Sequence, residues 1–401
     1  MTTWIVVGAG AAGCVVAGRL AEHGAHHVTL LEAGAGSTPA AIRANSFFDA
    51  LALPGRTFPG PFQRGRGLGG SGAVNGMIAT MGDPGQYRVW GWTDAPEAFT
   101  RIRVPVEPAA LNELGILDRA LQTAAPDAER VPLTRRDRRR VTPADAYLTA
   151  ASAERLTLRT DASVVALVLD GRRAVGVRLA AGDVVEADRI MVTAGAIGSP
   201  ALLLRSGIDT PLIGAGLRNH PGLPVVLHLR DGVEAPTEGL VTATALRRGV
   251  VQVQPLNHLG PQAPGLAMLL VVVMAPTGVG RVTVNAQAGD AEGIAVQQVL
   301  SPADRARLAR GAVDVQRLLE HPALTALVDG VEIGEAPAGI FHPTSTCAMG
   351  RVVEADGAVR GYERLHVADA SVFPDIPSTN TYLPTLMLAE RLAARLAQLR
   401  D

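Results

Sequence analysis

Gly8-Ala9-Gly10-Ala11-Ala12-Gly13 follows directly on the apolar run Trp4-Ile5-Val6-Val7, the order that a phosphate-binding turn requires. Gly8 permits a tight turn, Gly10 lets the backbone approach a pyrophosphate, and Gly13 allows a helix to lie close on the strand. The helix then presents its positive end to the anion. A second apolar run, Val28-Thr29-Leu30-Leu31, ends in Glu32, roughly 20 residues beyond the turn. There a carboxylate can accept hydrogen bonds from ribose hydroxyls and would repel a 2′-phosphate. Together these residues make a complete βαβ unit for a bound dinucleotide. NAD and FAD use the same cradle, so the unit alone leaves the choice open.

The rest of the chain surrounds this unit with further strands, helices and loops. A helix runs from the turn to about Glu22. Residues 33–64 are loop-like, and 65–76 form a second glycine loop. Alternation in Leu156–Arg159, Val164–Leu169, Ala174–Leu179 and Val184–Val192 predicts a small antiparallel meander, closing on Thr193-Ala194-Gly195 before a helix from about Ser199. Between 224 and 298, strand-like segments at Leu223–Leu229, Val250–Val253, Leu266–Met274 and Val282–Val284 suit a separate antiparallel sheet, with a helix at 302–320 after it. Leu365–Asp369 reads as a late strand and Thr385–Leu399 as a long amphipathic helix. The fold class is therefore α/β, with α+β character overall: a Rossmann-like dinucleotide-binding part and a second, antiparallel-sheet part.

Composition closes several routes. The chain has 401 residues, 47% hydrophobic, with 37 basic and 38 acidic side chains, a balance that argues against a nucleic-acid partner. All the basic residues are arginine, so lysine Schiff bases, a Walker-loop lysine and Tyr-Lys dehydrogenase pairs are excluded. Two cysteines, Cys14 and Cys347, cannot form a disulfide framework or a four-ligand zinc site, and no metal is expected. No apolar run reaches the ~20 residues of a transmembrane segment, and no leader precedes Gly8. The expected location is the cytoplasm, with peripheral association at the inner membrane face left open. The run Arg135-Arg136-Asp137-Arg138-Arg139-Arg140 reads as a solvated turn, with an anion-docking patch as the alternative.

Five ordered segments carry a family resemblance. Arg64-Gly65-Arg66-Gly67-Leu68-Gly69-Gly70-Ser71-Gly72-Ala73-Val74-Asn75-Gly76-Met77, with Tyr87 and Trp90, resembles the first signature of the glucose-methanol-choline (GMC) oxidoreductases. Residues 193–208, beginning Thr193-Ala194-Gly195-Ala196, resemble the second. Leu217-Arg218-Asn219-His220-Pro221, Phe341-His342-Pro343-Thr344-Ser345-Thr346-Cys347-Ala348-Met349-Gly350 and Val367–Pro374 with Ile376–Asn380 also match, in the family's order. The resemblance spans effectively the whole chain. It implies FAD rather than NAD, bound by residues 1–82, 130–222 and 340–401, with 83–129 and 223–339 binding the substrate.

The resemblance also implies oxidation of an alcohol to a carbonyl. His342 matches the catalytic histidine, and a neutral imidazole suits abstraction of the hydroxyl proton near neutral pH. Asn380 matches its partner position, where an amide can donate to the developing alkoxide. Gly69, Gly70 and Ser71 are expected to turn backbone N–H groups toward phosphate or ribityl oxygens, and Asn75 and Gly76 to lie by the isoalloxazine. By the same resemblance Val164 meets the adenine, Asp369 and Ala370 reach the ribityl or phosphate region, and Ala194 belongs to the cofactor site. The final helix, beginning after Thr381, is expected to aim its positive end at the flavin. His220 also resembles a family position, but in Asn219-His220-Pro221 it reads as a structural residue in a turn.

Two departures matter. The glycine loop at 65–76 has no histidine, so FAD is expected to be non-covalent, and the chain passes Trp90-Gly91-Trp92 without the longer insertion usual in relatives, which implies an open or reduced substrate pocket. The short, lysine-free chain is similar to small actinobacterial members associated with the peptide-derived cofactor mycofactocin. That resemblance makes a small-molecule or peptide-derived alcohol the substrate and dioxygen or a respiratory carrier the electron acceptor. Alternatives from other classes are a hydroxynitrile-lyase-like enzyme without net redox and a flavin-binding protein without turnover.

Overall fold

Strand Thr2–Val7 sits at the centre of a five-stranded parallel sheet in the order Leu365–Val367, Arg189–Val192, Thr2–Val7, His26–Leu31, Leu156–Arg159. The computed structural model describes residues 1–60, 62–285, 293–335 and 337–398. Trp4, Ile5 and Val6 are buried together, as expected of a strand covered on both faces. Helix Ala11–Glu22 crosses back over it, and the close approach depends on Gly13: a Cβ there would stand 1.8 Å from the Gly8 carbonyl oxygen.

The meander is smaller than its sequence pattern suggests. Leu156–Arg159 pairs in parallel with the second strand, and Arg189–Val192 in parallel with the first, so both belong to the parallel sheet. The antiparallel unit consists of Val164–Asp170, Arg173–Leu179 and Val184–Glu186. Alternation is the same for an edge strand of either sheet, which is why the pattern could not separate them. The helix after Thr193 begins at Gly195, not near Ser199.

A larger antiparallel sheet contains Pro221–Leu229, Leu266–Val273, Val251–Leu256 and Thr244–Arg248 in neighbouring positions. Leu223, Val225, Leu269 and Val271 face helices Pro302–Leu319 and Ile116–Ala124 and form a second core with them. Gly280–Val284 was expected in this sheet but pairs elsewhere, with Ala215–Leu217 and Ile294–Gln297.

Helix Tyr382–Leu396 is not amphipathic in its setting, since nearly every side is buried. Its polar residues are neutralised inside: Glu390 receives a two-pronged contact from Arg19 and the Tyr147 hydroxyl, and Arg391 pairs with Asp94 at 2.6 Å over the Trp92 ring. Burial of such groups is tolerable only when each is paired. Trp90, Trp92, Tyr87 and Phe373 pack edge and face around this pair where the chain turns at Gly91.

The arginine run is a tight hairpin, Arg135–Arg136 against Arg139–Arg140, and only its middle is solvated. Arg135 and Arg140 are each 1% exposed, which corrects the expectation of a wholly solvated turn. Arg135 is held by Glu113 at 2.8 Å. Among the described residues no helix is long and apolar enough to cross a membrane.

Candidate active site

Parallel strands deliver their following residues to one edge of the sheet, and here four ends converge. Gly8 follows Val7, Glu32 follows Leu31, Thr193 follows Val192, and Asp369 lies just beyond Val367. A cavity of about 480 Å³ runs along this edge. Gly8, Gly10, Glu32, Gly70, Ser71, Asn75, Gly76, Val164, Ala194, His342, Asp369, Ala370, Asn380 and Thr381 all line it. Gly13 and Gly69 are not in its wall: Gly13 serves the helix packing, and the Gly69 N–H donates to the Ala9 carbonyl at 2.9 Å.

The two acids act on the chain itself. Glu32 is buried and accepts from the backbone N–H groups of Ala9, Gly34 and Gly67, each at 2.8 Å, so one carboxylate fastens both glycine loops together. Three of its roughly four acceptor positions are thereby filled, leaving one for a ligand hydroxyl. Asp369 accepts from the Gly195 and Ser371 N–H groups and the Ser199 hydroxyl, and burial pushes its carboxyl pKa up. The Gly70 N–H is also used internally, by the Gly67 carbonyl. The Ser71 hydroxyl accepts from Gly65 N–H at 3.0 Å and keeps its own proton free to donate.

Asn75 is oriented by two donors. Arg140 Nη1 (2.7 Å) and the Met77 N–H (3.0 Å) both point at its Oδ1, so the amide nitrogen is the group left to face the cavity. Arg140 also holds the Asn75 carbonyl and the Ile42 carbonyl, and burial pushes its pKa down to about 10.

The two histidines form a directed pair. His220 Nδ1 and His342 Nδ1 are 2.9 Å apart, their rings nearly perpendicular at 86°, and His220 Nε2 lies 3.1 Å from the Pro377 carbonyl oxygen. A carbonyl only accepts, so His220 Nε2 carries its proton. Burial and the neighbouring imidazole hold His220 well below the usual histidine range, so it is neutral and its Nδ1 is a bare acceptor. His342 must then donate from Nδ1, which leaves its Nε2 unprotonated. The opposite assignment would set two lone pairs against each other at Pro377. Burial pushes the His342 pKa down to about 4, so the ring stays a free base through the neutral range. The Asn219 side chain fixes the ring's backbone, accepting from His342 N–H at 2.8 Å.

Helix Tyr382–Leu396 starts at this cavity, with Thr381 as a cap residue whose side chain makes no capping bond. Pro384 in its first turn removes a donor that would have no helical partner there.

Comparison with known proteins places this geometry. The pattern described as GMC oxidoreductase matches residues 109–222 and 276–389, and an NAD(P)-binding Rossmann-like domain matches 6–64. An uncharacterised GMC-type oxidoreductase of Rhodococcus erythropolis is 30% identical over 98% of this chain and 97% of its own. The chain belongs to the GMC oxidoreductase family. A 5-(hydroxymethyl)furfural oxidase of Methylovorus is 26% identical, covering 97% of both chains. The crystal structure of a pyridoxine 4-oxidase from Mesorbium loti superposes with a TM-score of 0.89 at 23% identity, over the full length of both chains. The protein is thus an oxidoreductase with a Rossmann-like α/β fold.

Reading the sequence of this GMC oxidoreductase misses three contributors. His220, structural by its turn sequence, contacts His342 across a separation of 122 residues. Arg140 was hidden in a charge run. Arg64 lines the cavity over the Phe58 ring at 4.7 Å, with its Nε buried and no hydrogen-bond or ion-pair partner within the described chain. Its place at the head of the glycine loop was a signal, since a cation beside phosphate-binding glycines suits an anion. Among the described residues no group of three or more His, Cys, Asp or Glu is placed to hold a metal ion.

Proposed function

We propose that the protein is an FAD-dependent dehydrogenase or oxidase that converts an alcohol to a carbonyl. The observation that carries this reading is the His342 ring: its Nε2 is left as a bare base in the wall of a cavity that the Asn380 side chain also lines, an amide with no hydrogen-bond partner among the described residues.

The cavity suits FAD in three respects. A Cβ at Gly10 would meet nothing within 4 Å, so this turn faces open space where a pyrophosphate can approach the first helix's N-terminus. The uncompensated Arg64 guanidinium, pushed down to about 10 by burial and by Arg205, awaits an anion. Glu32 keeps one acceptor position for a ribose hydroxyl. Val164 would meet the adenine, and Gly10, Ser71 and Arg64 would hold the phosphates. Asp369 would fix the Gly195 turn beside them, and Asn75, Gly76, Ala194, Ala370 and Thr381 would line the remainder. When bound, FAD supplies the acceptor for the carbinol hydride. The glycine loop offers no histidine for a covalent link, so the cofactor is released on denaturation.

The chain's own part is proton handling. His342 Nε2 accepts the hydroxyl proton, while the Nδ1–H bond to His220 keeps the ring from turning its protonated nitrogen toward the substrate. The Asn380 amide donates to the developing alkoxide, and that negative charge offsets the burial penalty on the new imidazolium. Residues 1–82, 130–222 and 340–401 bind the cofactor in this reading, and 83–129 with 223–339 bind the substrate. Reduced mycofactocin, with a respiratory carrier as acceptor, is the first physiological substrate to test, on the resemblance of this short chain to small actinobacterial members.

The test is anaerobic mixing of the yellow holoprotein with a panel of alcohols. Bleaching of the flavin by an alcohol in the wild type, and its loss in His342→Ala with FAD content unchanged, is the expected result. A flavin that no alcohol bleaches, while a hydroxynitrile is cleaved, would overturn it in favour of a lyase. Slow or fast recovery of colour in air then separates dehydrogenase from oxidase.

A further inference from the structure

A second cavity of about 280 Å³ adjoins the first and shares one wall residue with it, Phe341. Phe341 immediately precedes His342 and holds a backbone φ of +61°, a left-handed conformation rare for a bulky side chain. Such a residue persists only where its surroundings hold it, and strain of this kind gathers at functional sites. Its ring stands edge-on to Phe62 and remains 47% exposed, so it stands as a partition between the two spaces rather than as part of a core.

The second cavity is also wired to the catalytic histidine. Asn219, in its wall, accepts from the His342 N–H at 2.8 Å and donates through Nδ2 to Gln298 Oε1 at 2.7 Å, and Gln298 lines the same cavity. A Cβ at Gly339 would fall 2.0 Å from Asn219 Nδ2, so the backbone is pressed against this amide and fixes it. Leu217, Val299 and Leu300 complete the working surface, and among the described residues none in the wall carries a formal charge.

We propose that this cavity is a subsite for the distal part of an extended alcohol substrate, and that Phe341 sets how large that part can be. The distal part it fits is uncharged, apolar in body and bears an amide or hydroxyl that can bond to the Gln298 amide. A charged group would lose its hydration there without a partner. The proposal rests on the alcohol-oxidising reading and adds the class of alcohol to it.

Two probes test it, benzyl alcohol and the longer, neutral 4-benzamidobenzyl alcohol, each mixed anaerobically with holoprotein while flavin absorbance is followed. Val299 is exposed, so Val299→Trp fills the second cavity from its surface with little risk to folding. In Val299→Trp the apparent dissociation constant of the long alcohol is expected to rise by about tenfold, the scale set by losing a few well-packed apolar groups, with benzyl alcohol unchanged. In Phe341→Ala the long alcohol is expected to bind more tightly relative to the short one, with the flavin spectrum unaltered. Equal responses of both alcohols in both variants would overturn the subsite while leaving the alcohol-oxidising reading intact. A wild-type flavin that neither alcohol bleaches would overturn both.

Discussion

The glycine-turn wall and the histidine wall of the cavity are built on opposite principles. Around Gly8, Gly10 and Gly70 the working surface is main chain, and the two acids, Glu32 and Asp369, spend most of their oxygens holding peptide N–H groups in place. Around His342 the working surface is side chains, and one main-chain oxygen at Pro377 sets their proton order. The first arrangement binds by shape. The second acts by protonation, and its behaviour depends on which nitrogen holds a hydrogen.

Substitutions in the two walls, and in the packing behind them, should therefore fail differently. The largest effect is expected from Gly13→Val: the added Cβ collides with the Gly8 carbonyl, and the cost of more than ~3 kcal/mol should appear as loss of soluble protein or a collapsed melting temperature. His342→Ala should leave folding and FAD content alone and slow alcohol-dependent flavin reduction by about 10²- to 10⁴-fold in stopped-flow traces.

His220→Ala sharpens the contrast further. It should cost about 10- to 100-fold in the same rate, the range seen when a group that orients a working histidine is removed. It should also move the acid limb of the pH profile. In the wild type burial pushes the His342 pKa down to about 4, so activity is expected to fall only when acid protonates a ring that burial keeps neutral. Opening the buried His220 site to water relieves that burial, and the limb should climb toward 6.5, the ordinary imidazole value. A rate loss with an unmoved limb would reduce His220 to packing.

On the glycine-turn wall, Arg64→Met should weaken ADP binding by about tenfold in calorimetry and leave adenosine unaffected, because the residue answers to charge. The smallest effect belongs to Ser71→Ala. One exchangeable hydrogen bond to Gly65 is worth about 1 kcal/mol, and FAD retention should fall only severalfold.

The same contrast explains what the sequence disclosed. The glycine turn, Glu32 and the late strand before Asp369 were legible because each lies in a local run whose spacing the chemistry dictates. The match of His342 and Asn380 came from ordered motifs, and both line the one cavity. The His220–His342 contact and the Arg140 clamp on Asn75 arise only when remote segments are folded together, and no local pattern marks them. Leu156–Arg159 was assigned to the wrong sheet for a related reason: a strand's alternation records which side is wet, not which neighbour it pairs with.

Pro377 contributes to the histidine wall through an atom that every amino acid possesses. Replacing its ring by any other side chain leaves the oxygen in the chain, so point substitution at this position cannot delete the acceptor. Only a shift of the whole loop can, and a lineage drifting in sequence here would keep the imidazoles in their order long after proline itself had gone.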